Sequence, residues 1–511
     1  MNLLKSLISI SFITLISRIL GFTRDLFIAT MFGASIYTDA FFIAFKIPNL
    51  LRRIFSEGAF SQCLIPVLIE YKSKKDIQYV KDFISSISGL MIFFLLFIII
   101  LGIFFSQFII EITAPGFSKQ PSKLLLSENL LKIMFPYILL ISLSSLYSAI
   151  LNSWNYFFIP ALSPIFLNIS LIIFSIFFSS FFCPMIFSLA WAVIVGGLIQ
   201  LFYQFPLLYK INVLVIPKIN FYNIACLRVL RKIGPAILGV SANQISLIVN
   251  TIFISLLSSG SISWIYYADR LIEFPIGVLG VSLTTILFAP LTKNFKKGMQ
   301  LEYKKLLNWG FKMGIILSLP SSIALFFLAK PIIIVLFQYG KFTDLDVSMT
   351  EQVLKLYSFG LVSFILVKIL SLAFYAQEEM NIPIKISLLT LLLSQFLNPI
   401  LIFYFKHAGL ALSVSISSWI NFFLLYWKLY KKNIIRFQYN SVIFTTNIVI
   451  STLVMLLILM FLLKIMPIWN TDPFLYKVIH LFFIVVVSGL SYLFTLHYLG
   501  IRILNFSYKN F

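Results

Sequence analysis

The sequence predicts an all-α polytopic membrane protein. Fourteen transmembrane helices are expected, as two pseudo-symmetric six-helix lobes plus two C-terminal helices, with both termini cytoplasmic. Three observations carry this reading. Of 511 residues, 60% are hydrophobic and 11% charged, whereas a soluble domain carries about 25% charge. Apolar runs such as Gly89–Phe105 and Val442–Leu463 are long and lack dyad alternation. They read as helices that satisfy their own backbone in lipid rather than as barrel strands. Finally, the basic residues fall in alternate loops, as the positive-inside rule requires.

Taken in order, windows of about 20 apolar residues place helices near 7–31, 38–69, 83–108, 130–151, 160–182, 185–209 and 234–257. Seven more follow near 264–291, 311–337, 353–377, 383–405, 408–430, 441–465 and 474–499. Met1–Phe22 resembles a secretory leader, but no A-x-A site follows it. The hydrophobic pattern continues past Arg18, Arg24 and Asp25, so the segment reads as a retained first helix. Basic residues gather after the second helix (Lys72, Lys74, Lys75, Lys81) and the sixth (Lys210, Lys218, Arg228, Arg231, Lys232). They gather again after the eighth (Lys293, Lys296, Lys297, Lys304, Lys305) and the twelfth (Lys428, Lys431, Lys432, Arg436). An even helix count puts every cluster on one side. The net charge of +22 is therefore a topology signal, and no nucleic-acid partner is expected. Cys63, Cys183 and Cys226 show no metal or disulfide spacing.

The helices also repeat. LKIMFPY at 131 and LKLYSFG at 354 are each followed by an Ile-Pro pair, Ile159-Pro160 and Ile382-Pro383. Pro66 answers Pro290, and Leu189-Ala190 answers Leu410-Ala411. Six helices return the chain to the side from which it entered, so these are parallel repeats, with a substrate site expected between them near mid-depth. The expected organisation is an N-lobe (1–215), a C-lobe (216–435) and a terminal pair (436–511).

The second helix carries charges that a lipid-facing segment does not keep. Asp39, Lys46 and Arg53 recur at steps of seven; Lys46, Asn49 and Arg52 recur at steps of three. Together they form one polar stripe. The first helix adds Ser17, Arg18, Arg24 and Asp25; the eighth adds Asp269, Arg270 and Glu273; the tenth adds Lys368. Pro48 and Pro275 interrupt the second and eighth helices, which are repeat partners, and read as hinges. A single arginine near a helix end can snorkel to the interface. Several at depth, with acids among them, point to a wet chamber, because each charge costs about 2.5–3.5 kcal/mol on insertion scales. The positive balance points to an anionic substrate, and the planar guanidinium fork favours a diphosphate.

These residues carry a family resemblance. TDAFFIAFKIPNLLRRIFSEGAFSQ at 38–62, SRILGFTRD at 17–25 and YADRLIEFPIGVLGVSL at 267–283 resemble the MurJ (MviN) lipid II flippases of the MOP exporter superfamily. The resemblance implies a cavity between two six-helix lobes that opens alternately to each side. It implies transport of the undecaprenyl-diphosphate-linked peptidoglycan precursor across the bacterial inner membrane, from the cytoplasmic to the outer leaflet. Arg18, Arg24, Arg52 and Arg270 would serve the diphosphate, and Asp39 would line the cavity. The terminal pair would hold the polyprenyl tail. No motif for a sodium site can be placed.

The expected mechanism is alternating access driven by substrate binding, with no cofactor, no metal and no catalytic residue. The precursor and membrane lipids are the expected partners, with other cell-wall synthesis proteins as further candidates. The nearest alternative is a related exporter, either an O-antigen-type flippase or a cation-coupled drug exporter. A drug exporter should have an acid-dominated cavity, which the arginines argue against. A membrane enzyme would need a catalytic acid or base, usually with a carboxylate metal cluster.

Overall fold

The computed structural model describes residues 3–56, 59–74, 76–435, 439–466 and 472–501. Within them, the side chains of 3–11, 51–56, 59–63, 73–74, 224–225, 230, 232–243 and 439–442 lie outside the description. The described residues contain helices and no strand, the expected solution where no water is present to satisfy a backbone. Among them, eleven helices are long and apolar enough to cross a membrane, from Ile77–Phe104 to Phe474–Tyr498. The expected second helix is described as two pieces, Ile36–Ser56 and Ala59–Lys74. Large apolar side chains such as Phe97, Phe104, Phe403 and Phe494 are exposed, as suits surfaces solvated by lipid.

Packing divides the chain into two units. The first comprises residues 1–263 with Gly340–Phe342. Here Leu3–Phe32 lies along Phe158–Ile173, and Ile36–Ser56 packs on Pro121–Met134 and Tyr137–Ser153. Phe41, Phe83 and Tyr137 are fully buried in this core. Gly102 is required by packing, because a Cβ there would sit 2.0 Å from the Phe135 ring. The helix Ile224–Ser255, which the repeat would assign to the second lobe, packs here against Ala59–Lys74.

After Phe205–Lys210 the chain leaves regular structure and runs as a strap over residues 211–223. The strap is stitched to the helix Ile77–Phe104. Ser85 Oγ donates to Ile216 O at 2.6 Å, and Lys218 N donates to Ser85 O at 3.1 Å. A Cβ on Gly89 would lie 2.2 Å from Lys218 O, so only glycine admits this approach. Phe221 then packs edge-on against Phe93 and Phe94.

The second unit comprises Trp264–Tyr339 and Thr343–Phe511. Its helix Ser261–Pro275 passes into a π turn, Ile276–Val281, before resuming as Ser282–Lys296. The expected interruption at Pro275 thus has a definite form. Gln300–Phe337 and Asp344–Ala376 pack along each other, and His407–Lys431 lies against the latter. The last of these unions begins firmly: Thr343 and Asp346 form a reciprocal capping box at the start of Asp344–Ala376. The terminal helices Tyr439–Ile465 and Phe474–Tyr498 pair with each other and dock on Gln300–Phe337. Ile316, Ile448, Met455 and Leu496 bury one another at that contact, and Tyr492 Oη donates to Ile316 O at 2.7 Å.

Candidate functional site

Three polar clusters form in the first unit, each from helices whose remaining faces are apolar. The first centres on Arg24, which is 9% exposed, and Asp25, which is 1% exposed. Arg24 Nε and Nη2 both donate to Asp25 Oδ1, at 2.9 and 2.7 Å. Arg24 Nη1 donates to Asn168 Oδ1 at 3.0 Å, and Asn168 Nδ2 donates to Ser17 O at 3.2 Å. Asn168 therefore fixes the guanidinium from across the helix pair. A buried ion pair needs such extra bonds, because desolvation cancels much of its Coulomb gain. Arg18 is exposed, although it shares a heptad step with Asp25.

The second cluster surrounds Asp39, which is fully buried. Its Oδ2 accepts from Lys123 Nζ at 3.0 Å and Gly260 N at 2.7 Å. Its Oδ1 accepts from Ser263 N at 3.1 Å and Ser263 Oγ at 2.7 Å. Gly260 and Ser263 flank the start of Ser261–Pro275, so a carboxylate from another helix caps that orphan first turn. Lys123 Nζ also sits 4.3 Å from the centroid of the Phe117 ring. In the third cluster, Lys46 Nζ donates to Thr251 Oγ1 on Ile224–Ser255. Asn49 is half-buried beyond it, and Pro48 is buried. Arg52 and Arg53 lie outside the described side chains, so the stripe can be followed only to Asn49.

In the second unit the charges are held more loosely. Arg270 Nη1 donates to Glu273 Oε2 at 3.0 Å, with side chains 37% and 62% exposed. Arg270 Nη2 reaches Tyr266 Oη at 3.2 Å, and its guanidinium carbon lies 5.1 Å from that ring's centroid. Asp269 is hydrogen-bonded to the buried Tyr357 hydroxyl. Lys368 packs beside the π turn, its Cδ 3.4 Å from where a Cβ on Gly280 would stand.

Sequence reasoning missed Lys123, Asn168, Ser263 and Tyr357. Asn168 left one signal, a carboxamide inside the apolar run PALSPIFLNISLII. Lys123 left none, because it reads as a loop cation. Among the described residues no group of three or more His, Cys, Asp or Glu could hold a metal ion.

Comparison with known proteins matches this arrangement to one family. The family model "Lipid II flippase MurJ" matches residues 28–480. A "Probable lipid II flippase MurJ" of Buchnera aphidicola subsp. Acyrthosiphon pisum is 68% identical over 510 residues, covering 100% of both chains. A "Lipid II flippase MurJ" of Burkholderia cenocepacia is 40% identical over 440 residues, covering 85% of each. A solved structure of "Lipid II flippase MurJ, inward closed conformation" superposes with TM-score 0.80 at 28% identity, covering 97% of this chain and 100% of that one. An inward-facing multidrug MATE transporter of the MOP superfamily shares the fold, with TM-score 0.62 at 12% identity, covering 83% of this chain and 98% of that one. With its charged first, second and eighth helices matched along nearly the whole length, this chain belongs to the MurJ family of lipid II flippases.

Proposed function

We propose that the chain carries lipid II from the cytoplasmic to the outer leaflet of the inner membrane by alternating access. The carrying observation is the full-length identity to lipid II flippases, together with a guanidinium held at depth by Asp25 and Asn168. The protein is a multi-pass transporter and performs no covalent step. Eleven described spans, with Leu3–Phe32, the Ile36–Ser56 and Ala59–Lys74 pair, and Ile224–Ser255, support a count of fourteen. Both termini are then cytoplasmic, on the side of the basic loops. The internal repeat supports lobes at 1–215 and 216–435, and a tail-binding role for 436–511 rests on the family resemblance.

Arg18, Arg24, Arg52 and Arg270 serve the diphosphate. Arg18 and Arg270 are accessible, whereas Arg24 is held by its neighbours. A diphosphate offers Arg24 bidentate acceptors in place of one carboxylate oxygen. The affinity gained only in the bound state supplies the differential binding that shifts a conformational equilibrium. Ser17, Asp25, Asp39, Lys46, Asn49, Arg53, Asp269, Glu273 and Lys368 set the polarity around the substrate, while Pro48 and Pro275 give the helices their bends. Other cell-wall synthesis proteins are the natural partners of the product.

The test is accessibility of the lipid II headgroup from outside, in cells depleted of this protein and rescued by variants. Depletion is expected to remove the accessible pool, and Arg270→Ala is expected not to restore it at normal protein level. Restoration by Arg270→Ala to the wild-type rate would remove that arginine from the mechanism.

A further inference from the structure

Three pieces of the first unit line an open cleft of about 680 Å³: the end of Ala59–Lys74, the start of Ile77–Phe104, and the strap 211–223. Small-molecule sites run from about 300 to 1,000 Å³, so the space suits a compact ligand. Its wall carries one carboxylate, Asp82, one ammonium, Lys218, the rings of Tyr71, Tyr79 and Tyr222, and the amide of Asn220. None of these belongs to the clusters already described.

Lys218 N is bonded to Ser85 O, which fixes the Lys218 backbone beside a residue three positions along the helix from Asp82, roughly 4.5 Å along the axis. Both side chains line the same cleft, so a ligand carrying an anion and a cation close together can meet both. Lysine and amide N–H groups suit phosphate oxygens, and phenol rings attract an ammonium on their faces. Ile219 in the cleft wall is exposed, as are Ile77 and Phe221 close by in sequence, and basic residues Lys72, Lys81, Lys210 and Arg228 lie nearby in sequence. Tyrosine beside exposed apolar residues and cations is the signature of a membrane–water boundary.

We infer that this cleft binds the headgroup of a zwitterionic aminophospholipid. The phosphate sits on Lys218 and Asn220, and the primary ammonium sits among Asp82 and the tyrosines. An anionic headgroup meets the Asp82 carboxylate, and a quaternary ammonium has no N–H to donate to it. Lying among the basic loops, the cleft faces the cytoplasmic leaflet in the orientation proposed above; the headgroup preference does not depend on that orientation.

The test is native mass spectrometry of the purified full-length chain, titrated with phosphatidylethanolamine, phosphatidylglycerol and phosphatidylcholine in one detergent. Wild type should retain phosphatidylethanolamine about tenfold better than the other two, the scale of one hydrogen bond between charged groups. Asp82→Asn should erase that preference, and Lys218→Ala should weaken all three lipids. Tyr222 is 91% exposed, so Tyr222→Ala tests the ring without a folding cost and should selectively weaken the two headgroups that carry an ammonium. Equal retention of all three by wild type, a preference for phosphatidylglycerol, or a preference unmoved by both Asp82→Asn and Tyr222→Ala overturns the proposal. Translocation is not the readout, so the absence of any preference in wild type, with normal lipid II flux, refutes this site alone.

Discussion

Asp39 and Arg270 are both charges in apolar helices, yet the protein treats them in opposite ways. Asp39 is sealed from solvent and accepts from an ammonium, a hydroxyl and two backbone N–H groups. Arg270 has an exposed partner, a tyrosine ring beside it, and a side chain 37% exposed. The difference separates two uses of buried charge. A carboxylate saturated by its own protein holds helices in place, whereas a half-exposed cation keeps bonding capacity for a ligand. Arg24 stands between them, buried like Asp39 but paired with an anion on its own helix; in the proposed mechanism the diphosphate competes for it.

The largest effect should come from breaking the sealed region. Asp39→Ala strands Lys123 without its anion and uncaps Ser261–Pro275, at a cost of about 3–5 kcal/mol. Thermal unfolding in detergent should show a large fall, and Asp39→Asn with Lys123→Met should recover part of it. A wild-type melting profile for Asp39→Ala would mean that the network is not structural. Next, Asn168→Ala removes the acceptor of Arg24 Nη1 and should cost roughly 1–3 kcal/mol. Lipid II flux should fall with it, which sharpens the intermediate status of Arg24. Smaller again is Tyr492→Phe, which deletes the bond to Ile316 O and should cost about 1 kcal/mol without altering flux. Least of all in stability is Glu273→Gln, because an exposed pair contributes about 0–1 kcal/mol. Its effect should appear instead as a changed flux with an unchanged melting temperature.

Much of the fold was legible because lipid demands long apolar helices, and lengths of apolar runs are visible in one dimension. The charged stripe of the second helix was visible for the same reason, since Asp39 and Lys46 stand out against Phe and Ile. Their partners were not. Lys123 lies 84 residues from Asp39, and Asn168 lies 144 from Arg24, so neither pairing leaves a local spacing. Arg18 and Asp25 stand seven residues apart, which puts them on one sector of a helix, but only Asp25 is buried. A helix face is a wide sector, and its edge can reach solvent. The expected repeat would put Ile224–Ser255 in the second lobe, whereas packing groups it with the first unit. Sequence similarity between halves carries no information about which neighbour a helix chooses.

The π turn at Ile276–Val281 acts as a phase shifter. One surplus residue rotates everything after it by about 100° relative to an uninterrupted α-helix. The azimuth set by Asp269 and Glu273 is therefore not inherited by Ser282–Lys296, and two half-helices on one rod can address different surroundings. Excising a single residue there would re-clock the lower half as a block, with every side chain intact and each one aimed elsewhere.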